Sequence, residues 1–146
     1  MIRVDREIDV ERPAAEVFER LTRIADLPRW QPAIVEAALT SPGPLGVGST
    51  ARIVAEAAGN RTDAEGVVTE FVAPERIGLA AKAGPADITA RVVVTPLSDT
   101  SCRVGFETTI KLGGMLRFVE GMARSRIEAE APAAAAAVKE WLESEA

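Results

Sequence analysis

The sequence of 146 residues has the length of one domain and leaves no room for two ordinary ones. Its formal net charge of −5 is spread along the chain and disfavours nucleic acid as a partner, because acidic surfaces repel phosphate groups. The single cysteine, Cys102, excludes an internal disulfide, and the absence of histidine removes the common zinc sites. We therefore expect one domain over residues 1–146, without metal or cofactor, in the cytoplasm.

The N-terminal segment MIRVDREIDV alternates charged and aliphatic residues, which predicts a β-strand and not the apolar core of a signal peptide. Ile2, Val4, Ile8 and Val10 share one face of this strand. Arg6 breaks the pattern because it falls on that apolar face. No apolar run approaches the ~20 residues that a membrane span needs, so we expect no stable membrane insertion.

An amphipathic helix is predicted over residues 12–26, with Pro13 in its first turn, where the missing N–H costs nothing. Its apolar stripe consists of Ala14, Val17, Phe18, Leu21, Ile24 and Ala25. The i,i+4 ion pairs expected on its solvent-facing side are Glu16–Arg20 and Glu19–Arg23.

Trp30 lies between Pro28 and Pro32, which allow only a short second helix or a turn. Two interpretations of this ring stay open: a wall or mouth residue of a ligand cavity, and a plug between the short helices and the sheet. We expect Trp30 beside a pocket entrance, with its ring against the first half of the last helix or the adjacent loops.

Further strands are predicted at 34–40, 50–58, 64–73, 76–83, 87–96 and 102–112. The last two form a hairpin whose register follows from its side chains. Opposite charges meet if Asp87 faces Lys111 and Arg91 faces Glu107, and apolar residues then meet on the other face, Val92 against Phe106. A slip by one residue would bring the wrong faces together.

The longest helical pattern runs from Gly114 to the C-terminus, with a kink expected at Pro132. Its apolar stripe consists of Leu116, Val119, Ala123, Ile127, Ala131, Ala134, Val138, Trp141 and Leu142. Residues 114–124 carry large apolar side chains, whereas the part after Pro132 is mostly alanine. We therefore expect a roomy end and a tightly packed end.

This order of elements predicts an α+β fold in which a curved antiparallel sheet of about six to seven strands wraps a long C-terminal helix. The segments that carry a family resemblance are IDVERPAAEVFERLTR, DLPRWQP, VVTEFVAPERIGL, SDTSCRVGFET and VKEWLE. Through them the chain resembles the START-like helix-grip superfamily, and more closely its polyketide cyclase/dehydrase and lipid-transport (SRPBCC) branch. The resemblance implies a deep apolar cavity between sheet and C-terminal helix, with a mouth shaped by the loop that includes Trp30.

The side chains predicted to bind a ligand are Trp30, Arg6, Thr69, Phe71, Phe106, Thr108, Met115, Phe118, Val119 and Met122. Arg6 either holds an anionic or carbonyl group of the ligand, or extends to solvent at a sheet edge or in an ion pair. The two threonines either donate to a ligand oxygen or are ordinary strand residues. The aromatic and methionine side chains line either the cavity or the core.

Catalytic residues are not predicted, because no pair of carboxylates is placed for acid–base work and Cys102 has no histidine to activate it. The favoured function is a carrier or sensor for an apolar small molecule. A cyclase or dehydratase that acts by shaping its substrate is the alternative. A third hypothesis, a protein-interaction module, requires a filled core and an exposed apolar patch. The sequence leaves the oligomeric state, a homodimer included, open.

Overall fold

The computed structural model describes residues 1–31, 34–57, 60–84, 86–114, 118 and 120–144. The strands are β1 (Ile2–Val10), β2 (Ile34–Leu39), β3 (Thr50–Ala57), β4 (Asn60–Val72), β5 (Arg76–Ala83), β6 (Ala86–Ser98) and β7 (Ser101–Leu112). The helices are α1 (Ala14–Leu21), a 3-10 helix (Ile24–Arg29) and α2 (Glu120–Glu143).

Within these residues the strands form one seven-stranded antiparallel sheet in the order β1-β7-β6-β5-β4-β3-β2. Each strand from β3 to β7 pairs with the one before it, and β1 adds to the free edge of β7. The sheet, the short helices after β1 and the C-terminal helix together make a helix-grip fold, as the sequence predicts.

The register of β6 and β7 is the predicted one. Asp87 lies opposite Lys111, and the partnership continues residue by residue to Pro96 opposite Cys102, after which the register shifts. Arg91 lies opposite Glu107, with Nη1 3.5 Å from the carboxylate. The charged face of this hairpin is therefore the outer one, and the apolar face points inward.

Both main helices are shorter than the sequence predicts. The first ends at Leu21, where the Thr22 hydroxyl donates to the Phe18 carbonyl over 2.9 Å, and a 3-10 helix containing Pro28 follows. The last begins at Glu120 and not at Gly114, whose φ of 61° belongs to the left-handed region that ends helices. Pro132 lies inside α2 without ending it.

Arg20 is not on the solvent-facing side of α1, so the predicted Glu16–Arg20 surface pair is wrong. The residue is 7% exposed, and its Nη1 donates to the carbonyls of Leu142 at 3.1 Å and Ser144 at 3.0 Å. Carbonyls at the end of a helix lack partners within the helix, so this guanidinium caps α2. The predicted Glu19–Arg23 pair forms at 3.3 Å.

The hydrophobic core lies at one end of the inner face of the sheet. It joins α1 and the 3-10 helix to the last turns of α2 and to the sheet, through Ile8, Val10, Val17, Phe18, Leu21, Leu27, Val68, Ile77, Val92, Val94, Val104, Val138 and Leu142. The α2 stripe follows the prediction here, because Ala131, Val138 and Leu142 are buried. Towards its N-terminus the same stripe is only half-buried, at Ala123 and Ile127. The fold therefore has a packed end and an open end.

Candidate functional site

The open end exposes part of the inner face of the sheet. The half-buried residues on that face are Val4, Arg6, Leu79, Ala81, Ile88, Ala90, Phe106, Thr108 and Ile110. We call the surface formed by these residues the groove. It lies beside the first half of α2, because α2 runs parallel to β1, with Arg124 bonded to the Met1 carbonyl and Lys139 to the Asp9 carbonyl. The groove is therefore an apolar surface that the chain leaves partly uncovered.

Two aromatic pairs lie where the groove meets the core. Phe18 and Phe71 have ring centroids 5.7 Å apart, with planes inclined by 55°. Trp30 and Phe106 are also 5.7 Å apart, inclined by 38°. Phe106 belongs to the groove and Phe71 packs against the core, so both predicted aromatic ligand contacts lie on the inner side of the sheet.

Trp30 is 5% exposed and belongs to the core cluster, so it is not a lid at an open entrance. Its ring contacts Phe106 on the sheet, and the segment before the last helix, where we expected a further contact, lies mostly outside the described residues. The 3-10 helix explains this placement, because the Trp30 amide donates to the Leu27 carbonyl at 3.1 Å and turns the chain back over the sheet. The ring fills the space between the 3-10 helix and the sheet, as the plug interpretation predicts.

Arg6 carries the one charge on the inner face of the strands that the structure describes. It is half-buried, and Nη1 donates to the Asp5 carbonyl at 2.8 Å. Within the described residues no carboxylate lies close enough to Arg6 to form a salt bridge. Arg3, on the outer face of the same strand, lies 3.1 Å from the Asp5 carboxylate. The structural ion pair considered for Arg6 is therefore wrong, whereas its exposed hydrogen bond on the edge strand β1 fits the alternative of a side chain that extends to solvent at a sheet edge.

The two threonines lie on opposite faces. Thr108 is half-buried on the inner face, between Val4 of β1 and Ala90 of β6. Thr69 is exposed, and its predicted inward orientation is wrong. The β4–β5 register shifts between Val68 and Glu70, and this bulge turns the Thr69 hydroxyl to the outer face, where it lies 3.0 Å from the position of a Cβ on Gly78.

The predicted apolar lining from the last helix is not found at Phe118 and Met122, which are 89% and 78% exposed. The helix begins at Glu120, and the stripe that faces the sheet passes through Ala123 and Ile127. Met122 lies one residue, about 100° of helix, away from that stripe. Met115 and Val119 lie outside the described residues.

Cys102 shows no features of a nucleophile. It is fully buried on β7, and burial, with a smaller contribution from the charge of Asp9, raises the pKa of its thiol. Among the residues that the structure describes, no group of acidic or cysteine side chains is arranged to hold a metal ion. Over the same residues, no helix combines the length and hydropathy needed to cross a bilayer.

Sequence comparison agrees with this geometry. The family model of polyketide cyclase/dehydrase and lipid transport proteins matches residues 1–143. The chain belongs to that family. Many solved structures share the fold of this polyketide cyclase/dehydrase family protein, and no curated protein matches its sequence.

Three solved structures illustrate the likeness. A START superfamily protein from Mycobacterium smegmatis is 19% identical, with a TM-score of 0.68 over 97% of both chains. The Zhui aromatase/cyclase from Streptomyces sp. R1128 is 15% identical, with a TM-score of 0.72 over 97% of this chain and 93% of its own. The di-domain ARO/CYC protein BexL is 21% identical, with a TM-score of 0.71. The match covers 96% of this chain but 46% of BexL, so this family member spans about half of that protein. At these identities the likeness establishes the fold alone.

Proposed function

We propose that this protein binds an apolar small molecule with an anionic or carbonyl group in the groove, and that it acts as a carrier or sensor in the cytoplasm. The observation that carries the proposal is Arg6, a half-buried residue of the edge strand β1 without a carboxylate partner among the described residues, on an otherwise uncharged inner face. No carboxylate among the described residues competes with a ligand anion for this charge.

The groove supplies the rest of the binding energy. Its other members are aliphatic or aromatic except for Thr108, and they are half-buried. Covering apolar surface contributes about 25 cal/mol per Å². A lipid-like or aromatic body over the groove would be stabilised by this term, while its oxygen group would accept hydrogen bonds from Arg6.

A cyclase or dehydratase activity is the second candidate. It is suggested by the likeness in fold to proteins described as aromatase/cyclases. The inner face offers the Arg6 guanidinium and the Thr108 hydroxyl as polar groups, so such an enzyme would act mainly by holding a reactive chain in a folded shape. Incubation with a reactive poly-ketone thioester tests this, because an enzyme would change the ratio of cyclised products and a carrier would not.

A thermal-shift screen with fatty acids, sterols and aromatic polyketides tests the binding function. A compound that binds only the folded protein raises its Tm. We expect acids to stabilise the wild type, and Arg6→Gln to weaken their binding about tenfold or more, because hydrogen bonds to charged groups are strong. Arg3→Gln, on the outer face of β1, is the matched control and should bind normally. Absence of any stabilising compound, or equal binding by both variants, contradicts the proposal.

A further inference from the structure

The indole N–H of Trp30 has no acceptor within hydrogen-bond distance among the described residues, and its nitrogen is buried. The whole residue is 5% exposed. Buried donors in native proteins nearly always have a partner, so an exception calls for an explanation. An indole nitrogen donates only, and the missing partner must therefore supply an oxygen or another acceptor.

The Trp30 ring lies next to one residue of the groove. Its ring contacts Phe106, whose side chain is half-buried on the inner face. Phe106 is also the cross-strand partner of Arg6. Side chains that are directly opposite on neighbouring strands have Cβ atoms about 5 Å apart. Phe106 thus contacts Trp30, which has the unpaired indole N–H, and lies opposite Arg6, which has no carboxylate partner among the described residues.

We infer that the ligand carries two separate oxygen functions on its apolar body, one bound by Arg6 and a second that accepts a hydrogen bond from the indole N–H of Trp30. This inference rests on the proposed function and makes it more specific. Both protein groups are donors, so the site selects hydroxy acids and oxo acids over acids with a single oxygen function, and it gives no advantage to an amine at the second position. The indole N–H remains a donor at ordinary pH, so a ketone or hydroxyl oxygen suffices as its acceptor.

Three matched acids test the inference: naphthoic acid, its hydroxy derivative with the hydroxyl on the ring remote from the carboxylate, and the amino derivative with the same substitution. Calorimetric titration gives their affinities. We expect the hydroxy derivative to bind the wild type about fivefold more tightly than naphthoic acid, the usual contribution of one neutral hydrogen bond. The amino derivative should bind with the same affinity as naphthoic acid. Trp30→Phe should bind the hydroxy acid no more tightly than it binds naphthoic acid. Trp141→Phe changes the other tryptophan and should keep the preference.

The indole N–H resonance gives a second measurement that does not depend on affinity. The chain has two tryptophans, so a proton–nitrogen correlation spectrum contains two indole peaks, assigned by the peak missing in Trp30→Phe. The hydroxy acid should move the Trp30 peak to a hydrogen-bonded position, naphthoic acid should leave it nearly unchanged, and the Trp141 peak is the internal control.

The outcomes separate the two levels of the proposal. Binding of all three acids with equal affinity and an unmoved Trp30 peak overturns the second oxygen contact and leaves the proposed binding function standing. A Trp30 peak that is already at a hydrogen-bonded position without ligand also overturns the inference, because a water molecule then supplies the acceptor. Failure of all three acids to bind contradicts the proposed function together with the inference.

Discussion

The guanidinium carbon of Arg20 lies 5.0 Å from the centre of the Trp141 ring, so that the first helix contacts the last turns of α2. The same guanidinium donates to the carbonyls of Leu142 and Ser144. Replacing it leaves buried carbonyls without donors, and Arg20→Gln should therefore lower the free energy of unfolding by about 2–4 kcal/mol. Urea unfolding measures this loss.

Arg23→Gln is the control for this prediction. The Arg23 side chain is 51% exposed and its partner Glu19 is at 3.3 Å, so the variant should change the free energy of unfolding by less than about 1 kcal/mol. Equal losses in the two variants would show that the contacts of Arg20 with α2 add nothing to stability.

Gly66 on β4 has no room for a side chain, because a Cβ there would lie 2.7 Å from Cδ1 of Ile53. Gly66→Ala should therefore cost about 1 kcal/mol, the strain of turning a buried isoleucine to a less favourable rotamer. Adding Ile53→Val should recover part of this loss, which a double-mutant cycle in urea detects. Gly105→Ala, whose Cβ would have its nearest contact at 3.9 Å, should show no such penalty. Coupling of zero between Gly66→Ala and Ile53→Val would refute the steric account.

Truncating two apolar residues of α2 to alanine should change the free energy of unfolding by very different amounts. Leu142 is fully buried in the core, and Leu142→Ala should lower the free energy of unfolding by about 2–5 kcal/mol. Met122 is 78% exposed, and Met122→Ala should change it by about 0.5 kcal/mol or less. A large loss in Met122→Ala would mean that this side chain packs against the sheet after all, as the sequence first predicts.

The pH dependence of stability should include a contribution from Glu143. Lys139, at 2.9 Å, and the Glu11 amide, at 2.9 Å, bind this carboxylate and hold its pKa below the usual 4.5. The folded state therefore favours the charged form. The resulting stabilisation is complete above the usual pKa and is lost as the pH falls through the lower pKa of the folded state.

We therefore expect the Tm of the wild type to fall on acidification from about pH 5.5 to about pH 3, and Glu143→Gln to show a smaller fall. Glu140→Gln, an exposed substitution on the same helix, should retain the wild-type slope. Parallel curves for wild type and Glu143→Gln would exclude this contribution.

The sheet could be predicted because its strands are marked by patterns within short stretches of sequence. Alternation identified each strand, and opposite charges at Asp87 and Lys111 and at Arg91 and Glu107 fixed the register of the hairpin. The family resemblance was likewise predictable, since it depends on the order of these segments. What failed was the orientation of Thr69, because one extra residue in a strand reverses its face and a bulge leaves no clear mark in a single sequence.

The helix ends and the polar contacts of the site were harder to predict. The apolar periodicity before Glu120 predicted a helix from Gly114 and a buried Phe118. The structure instead has a left-handed conformation at Gly114 and an exposed Phe118. Arg20 was predicted to form an ion pair with Glu16, four residues away. Its hydrogen bonds instead go to carbonyls near the end of the sequence. Arg6 was found from sequence because it breaks a pattern, but the unpaired indole of Trp30 required coordinates.

The path of α2 along β1 has a consequence for how the protein is made. β1 leaves the ribosome first, yet its hydrogen-bonding partner β7 and its helical neighbour α2 leave last. Until β7 and α2 have been synthesised, β1 therefore has unpaired backbone N–H and C=O groups, which can pair with other nascent chains. Charged residues at alternate positions along one face of β1, Arg3, Asp5, Glu7 and Asp9, oppose such pairing until β7 and α2 have been synthesised.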